Sequence, residues 1–193
     1  MMASDPSERQ ADAALLAAYA AGDAEAARQL ARTHGPPVFR LARRLLNNDA
    51  EAEEIAQEAM MRLWKIAPDW RAGEALISTW LYRVATNLCT DRLRRVRPGP
   101  LPEGHDPADE SPSVAERLHT RQRAAALEAA LETLPDRQRV AITLRHLEER
   151  SNPEIAEVMD ISVEAVESLL SRGRRALKAA LAPAAPHLSV KDA

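Results

Sequence analysis

Apolar residues recur every three or four positions along most of the chain, a spacing that predicts amphipathic helices. One stripe is formed by Ile55, Ala59, Leu63 and Ile66, and a polar stripe of Glu54, Glu58, Arg62 and Lys65 runs beside it. Another stripe consists of Leu81, Val84, Ala85 and Leu88. Helix-forming residues dominate, while glycine and runs of β-branched residues are few. The fold is therefore predicted to be all-α.

Capping and breaking residues predict where these helices begin and end. In the first half of the chain they are Asp23 as an N-cap, Pro36-Pro37 as a helix start, Asn47-Asn48-Asp49 as a break, Pro68 as a stop and Ser78 as a cap. In the second half, Pro135 is predicted to begin a helix, and Leu131, Leu134, Val140 and Leu144 belong to the apolar stripes there.

The middle of the chain has a different composition. Residues 98–115 contain five prolines and four acidic residues but no lysine or arginine. Proline removes helix donors and like charges repel, so an extended acidic linker is expected. We predict two small helical domains, at residues 10–97 and 117–182, joined by a flexible linker at 98–116 and followed by a disordered tail at 183–193.

The segment from Ser151 to Lys178 predicts two short helices joined by a tight turn. Ser151 and Glu154 form a capping box, and Ser162 is placed to cap the second helix. Gly173 lies in the apolar stripe of the second helix, where a glycine indicates close approach of another helix. This layout is typical of a helix-turn-helix that reads DNA.

The outer face of the second helix is the candidate reading surface. It carries Glu164, Ala165, Glu167, Ser168, Ser171, Arg172 and Arg175, with Ser162 at its start. Arginine and serine bind bases or phosphates, and a carboxylate accepts a hydrogen bond from the cytosine amino group. An ordinary amphipathic helix with a solvated charged face is the alternative interpretation.

A basic cluster, Arg92, Arg94, Arg95 and Arg97, ends the first helical region. Cations there also complement the helix dipole. The nearby Trp80, Tyr82, Arg83 and Asn87 could stack on or hydrogen-bond an unpaired base. Trp80 could equally be a core residue, and the residues alone leave both interpretations open.

The net charge and the cysteine and histidine content limit the classes of function that fit this sequence. The formal net charge is −3, so nucleic-acid binding requires local basic faces or a partner that supplies phosphate affinity. Cys89 is the only cysteine, and the five histidines are scattered without metal-ligand spacing. No catalytic residue, metal or cofactor is predicted. No apolar run suggests a membrane span or a signal peptide, and a cytoplasmic location is expected.

Three segments together carry a family resemblance. They are Asp49–Trp64 (DAEAEEIAQEAMMRLW), Ser78–Arg95 (STWLYRVATNLCTDRLRR), and Leu134–Arg139 (LPDRQR) followed by the helix-turn-helix. In this order they resemble an RNA polymerase sigma factor of the sigma-70 family, in the extracytoplasmic-function (ECF) subgroup. The resemblance extends from about Leu15 to Leu181.

The resemblance implies a role for each segment. The helix that binds the β′ clamp helices of core RNA polymerase would use Glu54, Gln57, Glu58 and Arg62. Recognition and melting of the −10 element would use Trp70, Arg71, Trp80, Arg83, Asn87, Arg94 and Arg95. The second module would bind the β flap and read the −35 element through Ser162, Glu164, Ala165, Glu167, Ser168, Ser171, Arg172 and Arg175. Many relatives carry arginine at the position of Glu167, so a distinct −35 preference is expected.

The implied function is that of an alternative sigma factor directing promoter-specific transcription initiation, in a stress or envelope response under anti-sigma control. The implied partners are core RNA polymerase, promoter DNA and an anti-sigma factor, with no membrane insertion. The alternative is a helix-turn-helix regulator that acts without being a polymerase subunit, as a dimer with an effector-sensing domain. An enzyme is disfavoured because no catalytic constellation is found.

Overall fold

The computed structural model describes residues 6–71, 76–96 and 124–182. Within these ranges the regular structure is entirely helical and forms two modules, which confirms the predicted all-α, two-domain fold. The predicted acidic linker and the tail lie outside the described residues. None of the described helices is long and apolar enough to cross a membrane.

In the first module, residues 6–71 and 76–96 form four helices. They are α1 (Pro6–Ala20), α2 (Ala24–Leu46), α3 (Asp49–Ile66) and α4 (Ile77–Val96), and a 3-10 turn at Ala67–Asp69 follows α3. The helices pack around a leucine-rich core in which Leu30, Leu41, Leu63 and Leu81 are fully buried. The stripe predicted on α3 points inward, since Ile55, Ala59 and Leu63 are all buried.

Three predicted boundaries in this module are confirmed. The Asp23 carboxylate accepts hydrogen bonds from the backbone amides of Glu25 and Ala26 at the start of α2. Asn47 ends α2 in the left-handed conformation, with a φ of 51°. The side chain of Asn48 then caps α3 by accepting from the amide of Glu51.

Two other boundary predictions are wrong. Pro36 and Pro37 lie inside the continuous helix α2 rather than at the start of a new one. Leu30 before them and Val38 after them are buried on the same side, so packing against the core keeps the helix continuous despite the missing donors. Ser78 is not an N-cap either, because α4 already begins at Ile77.

Four helices are also described in the second module, between residues 124 and 182. Residues 124–132 form α5, and α6 (Asp136–Ile142) continues into a π-helical turn at Thr143–Leu147. Helices α7 (Asn152–Met159) and α8 (Val163–Leu181) follow as the predicted helix-turn-helix pair. The capping box of Ser151 and Glu154 is present, and the Ser162 hydroxyl accepts from the amide of Ala165.

The close approach predicted at Gly173 is confirmed. A Cβ atom at this position would lie 2.7 Å from Cγ1 of Ile142, nearer than side-chain packing allows. Glycine therefore lets α8 cross α6 at short range, and this crossing fixes the direction in which the outer face of α8 points.

Candidate nucleic-acid interface and polymerase-binding face

The predicted reading face of α8 forms one exposed surface. Val166, Leu169 and Leu170 are buried on the opposite side of the helix. Of the predicted face residues, Ala165 is half-buried and the others are exposed, namely Ser162, Glu164, Glu167, Ser168, Ser171, Arg172 and Arg175. The helix thus presents its polar face to solvent, as insertion into a DNA groove requires.

Charge is unevenly distributed along this face. Glu164 lies in the first turn, where its carboxylate accepts hydrogen bonds from its own backbone amide and from the Ser162 hydroxyl, and these lower the pKa of the carboxyl. Arg172, one turn beyond Ser168, donates to the Ser168 carbonyl at 3.3 Å and to its hydroxyl at 3.1 Å. The N-terminal half is therefore acidic, and the C-terminal half, with Arg172 and Arg175, is basic.

The two tryptophans predicted to lie near an unpaired base are brought together. Trp70, after the 3-10 turn, packs edge-on against Trp80 of α4, with ring centroids 6.1 Å apart. Both rings are half-buried, so each combines packing with partial exposure. Arg71 is exposed beside them, and residues 72–75 of the same loop lie outside the described range.

The rest of the α4 face divides into exposed and covered residues. Asn87, Arg94 and Arg95 are exposed. Arg83 is half-buried because its guanidinium donates to the carbonyl of Glu157 in α7, at 2.6 and 3.1 Å. The suggestion that Tyr82 stacks on a base is wrong for this arrangement, since its side chain is buried and points into the contact with the second module.

The predicted polymerase-binding residues lie along the outer side of α3. Glu54 pairs with Arg92 of α4 at 3.0 Å, and Arg62 pairs with Glu58 at 2.8 Å, while Gln57 is exposed. Each carboxylate retains substantial exposure, so both stay accessible to a partner.

The sequence reasoning missed one feature of this helix. Met61 is 64% exposed, and among the described residues it is the large apolar side chain that is exposed to solvent. It lies four residues after Gln57 on the same side of α3. Its position between Gln57 and Lys65, off the apolar stripe, is the signal that could have identified it.

Two family models match the chain. Sigma-70 region 2 matches residues 30–98, and Sigma-70, region 4 matches residues 124–177. The first match contains α3 and α4 with the residues proposed for polymerase and −10 binding. The second contains the helix-turn-helix up to Leu177.

Three curated relatives are extracytoplasmic-function sigma factors. The ECF RNA polymerase sigma factor SigE of Mycolicibacterium smegmatis is 36% identical over 159 residues, which are 80% of this chain and 61% of that protein. SigM of Mycobacterium tuberculosis is 34% identical, over 87% of this chain and 83% of SigM. SigW of Bacillus subtilis is 33% identical, over 81% of this chain and 89% of SigW.

Solved structures agree at the level of the fold. CnrH in complex with the cytosolic domain of CnrY superimposes with a TM-score of 0.66 at 28% identity, over 90% of this chain and 98% of CnrH. The sigma factor RpoE of Bartonella quintana, in complex with the anti-sigma factor NepR, gives a TM-score of 0.62 at 22% identity. That match covers 80% of this chain and 95% of RpoE.

Proposed function

Because the chain belongs to the extracytoplasmic-function group of the sigma-70 family, we propose that it is an alternative sigma factor that binds core RNA polymerase and directs transcription from specific promoters. The observation that carries the proposal is the joint presence of region 2 and region 4 in one chain, each with its polar face. Such a protein acts by binding, without catalytic residues, and it would work in the cytoplasm with the polymerase.

We assign recognition of the −35 element to α8. Its exposed face, from Ser162 to Arg175, has the size and polarity of a recognition helix, and its arginines supply donors for guanine or phosphate. Glu167 accepts rather than donates, so a cytosine amino group is its natural partner in the major groove. We therefore expect a promoter preference that differs from that of relatives carrying arginine there.

We assign recognition and melting of the −10 element to α4 and to Trp70 and Arg71, which precede it. Trp70 and Trp80 supply aromatic surface, while Asn87, Arg94 and Arg95 supply hydrogen bonds and positive charge. Unstacking a base costs a few kcal/mol, which stacking on an aromatic side chain and contacts to phosphate offset. Arg71 and Arg83 complete the proposed set.

We assign the binding of core RNA polymerase to α3, through Glu54, Gln57, Glu58 and Arg62. An anti-sigma factor is the expected inhibitor, since RpoE is solved in complex with the anti-sigma factor NepR and CnrH is solved in complex with the cytosolic domain of CnrY. We assign the functional units to residues 10–97, 98–116 and 117–182, with the acidic linker passing through the basic nucleic-acid channels of the polymerase.

Reconstitution with core RNA polymerase tests the proposal. The holoenzyme should initiate at specific promoters, whereas the free protein should bind the same DNA weakly, because its net charge is −3. Tight and specific operator binding without polymerase would instead support the alternative of a free helix-turn-helix regulator.

Arg172 offers a sharper test of the −35 assignment. The Arg172→Ala variant should lose a base or phosphate contact and initiate roughly tenfold to a hundredfold less well at −35-dependent promoters. The control is Arg137→Ala, which removes an exposed arginine of α6. Promoter activity is measured by transcription in vitro, and binding to core polymerase by titration. An equal loss of core binding in Arg172→Ala would refute the assignment.

A further inference from the structure

The N-terminal helix α1 contacts both elements that carry the tryptophan pair of the proposed −10 surface. It packs on α2, on the 3-10 turn at Ala67–Asp69 that precedes Trp70, and on α4, which contains Trp80. Leu16 of α1 is 1% exposed and Ala67 of the turn is 4% exposed, and both belong to the apolar core. The place of α1 therefore bears on how the turn lies against α4.

A ring contact joins α1 to the end of α3. The centroid of the Tyr19 ring lies 4.7 Å from that of the Trp64 ring, with the two planes inclined by 48°. Both residues are half-buried. Aromatic pairs in this range of distance and tilt attract each other beyond the burial of their surface. Trp64 lies in the last turn of α3, directly before the 3-10 turn, so the contact holds the end of this helix.

The segment from Trp64 to Trp70 connects this contact to the tryptophan pair through a constrained backbone. It contains no glycine. Helix α3 runs directly into the 3-10 turn, and Pro68 fixes its own φ within that turn. The Trp70 amide donates to the Ala67 carbonyl at 3.3 Å, and the Trp70 ring meets the Trp80 ring edge-on at 6.1 Å. A displacement of the end of α3 would therefore move Trp70 relative to Trp80.

A second contact fixes α1 to α2. A carboxylate oxygen of Asp12 lies 2.9 Å from Nε2 of His34, whose side chain is 9% exposed. The two atoms are in contact without the alignment of a hydrogen bond, so the attraction comes from the carboxylate charge rather than from a directed bond. Asp12 and Tyr19 are two turns apart on one face of α1, about 10 Å along its axis. We name Asp12, Tyr19, His34 and Trp64 the α1 brace.

We propose that the α1 brace is a positioning device for promoter melting, which holds the 3-10 turn so that Trp70 stays packed against Trp80 with its surface available to an unpaired −10 base. The proposal rests on the function proposed above. It makes Tyr19 and Asp12 positioning residues that act through Trp70 rather than by contacting DNA.

Base capture depends on where the two tryptophan rings lie. Unpairing and unstacking a base costs free energy, which stacking offsets only when an aromatic face is accessible. Trp70 and Trp80 are half-buried, so each has limited surface to offer. An arrangement that is set in advance avoids the cost of ordering the rings during melting. Loss of the α1 brace should therefore impair opening of the duplex and leave the polymerase-binding face of α3 intact.

Fluorine NMR on the free full-length protein tests the coupling between α1 and Trp70. The chain has three tryptophans, so labelling with 5-fluorotryptophan gives three signals, which single tryptophan-to-phenylalanine variants assign. Tyr19→Ala removes the ring that contacts Trp64 and should shift or broaden the signals of Trp64 and Trp70. Tyr19→Phe keeps the ring and should leave the Trp70 signal at its starting position.

Two further variants complete the spectroscopic test. Asp12→Asn removes the charge beside His34 and should move the Trp70 signal in the same direction as Tyr19→Ala, by less. The matched control is Ile55→Val, which truncates the buried core of α3 about 18 Å along the helix before the 3-10 turn. It lowers stability away from the α1 brace and should not move the Trp70 signal. An unmoved Trp70 signal in Tyr19→Ala, or an equal change in Ile55→Val, would overturn the proposal.

Transcription measurements with the holoenzyme separate positioning from binding. Tyr19→Ala should reduce open-complex formation on duplex promoter DNA about tenfold, the order of a partly lost base-stacking contact, with unchanged affinity for core polymerase. A template already unpaired over the −10 element should relieve most of the defect, because melting is no longer required. A loss of core affinity as large as the loss of open complexes would overturn the positioning role.

The conservative variant and the two readouts make the outcomes distinct. Tyr19→Phe should open promoters like the starting protein, because the ring rather than the hydroxyl makes the contact, and a defect equal to that of Tyr19→Ala would contradict this. The spectra need neither polymerase nor promoter. An unresponsive Trp70 therefore refutes the α1 brace, whereas a starting protein that opens no promoter refutes the sigma-factor function on which the proposal rests.

Discussion

At the scale of single residues, Gly173 shows how one missing side chain controls the packing of the reading helix. In Gly173→Ala the new Cβ would meet Cγ1 of Ile142 at 2.7 Å, Cδ1 at 3.2 Å and Cβ of Gln138 at 3.5 Å. Ile142 is itself buried and cannot move aside freely. Overpacking of this kind costs about 1–3 kcal/mol, more than the helix propensity that alanine gains.

We therefore expect Gly173→Ala to lower the free energy of unfolding by about 1–2 kcal/mol, measured by urea denaturation. Arg174→Ala, at the next and exposed position, serves as the control and should stay within about 0.5 kcal/mol of the starting protein. An unchanged or increased stability of Gly173→Ala would show that α6 and α8 separate without cost.

The other residue-scale lesson is the contrast between Trp80 and Tyr82. The sequence makes both candidates for base contact because each is an aromatic residue in the helix that ends in the basic cluster. A difference of two residues places them on different sides of a helix. Tyr82 thereby reaches Glu148, and Trp80 reaches Trp70.

At the scale of elements, the capping box that opens α7 was predictable from Ser151 and Glu154 alone. Burial by itself would raise the pKa of Glu154, but hydrogen bonds from the hydroxyl and amide of Ser151, together with Arg150, outweigh it and leave the pKa below its usual value of 4.5. The charged carboxylate therefore favours the folded state.

Ser151→Ala should destabilise the second module by about 1 kcal/mol in urea denaturation, because the hydroxyl that caps α7 and also binds the Glu154 carboxylate is lost.

A lowered folded pKa means that the contribution of Glu154 to stability is present above pH 4.5 and is lost as the pH falls through the folded value. The stability difference between the starting protein and Glu154→Gln, followed by denaturation between pH 7 and pH 3, should accordingly shrink toward acid. A difference that grows toward acid would contradict the assigned shift.

Helix α2 shows the limit of such local signals. Pro36 and Pro37 are reliable breakers in isolation, but buried residues on both sides of them belong to one packed stripe. The energy that decides whether the helix continues comes from contacts with α1, α3 and α4. Those contacts are not encoded in the local pattern.

At the scale of the whole molecule, the two modules share one continuous apolar cluster and several hydrogen bonds and ion pairs, among them Arg44 with Glu148 and Tyr82 with Glu148. Arg139 of α6 is 6% exposed, and its guanidinium donates to the Leu45 carbonyl of α2 in the first module. The modules should therefore support each other's stability while they are docked.

Calorimetry of the free protein should show a single unfolding transition. Arg139→Ala should lower its midpoint or split it, because a buried carbonyl left without a donor costs about 1–3 kcal/mol. Arg137→Ala, the exposed arginine two residues earlier, should leave the transition unchanged. Two resolved transitions in the starting protein would contradict the shared stability of the modules.

The sequence by itself determined that the chain is helical, where the caps at Asp23, Asn48, Ser151 and Ser162 lie, the close approach at Gly173 and the polar face of α8. These features depend on residues within a few positions of one another, so spacing and side-chain chemistry suffice to predict them. The family resemblance, confirmed by the region 2 and region 4 matches, came from the same local segments. Only the tertiary structure decided that Tyr82 is buried, that Arg83 binds Glu157 and that Glu148 meets Arg44. These partners lie 66 to 104 positions apart in the chain, and only packing of one module on the other brings them together.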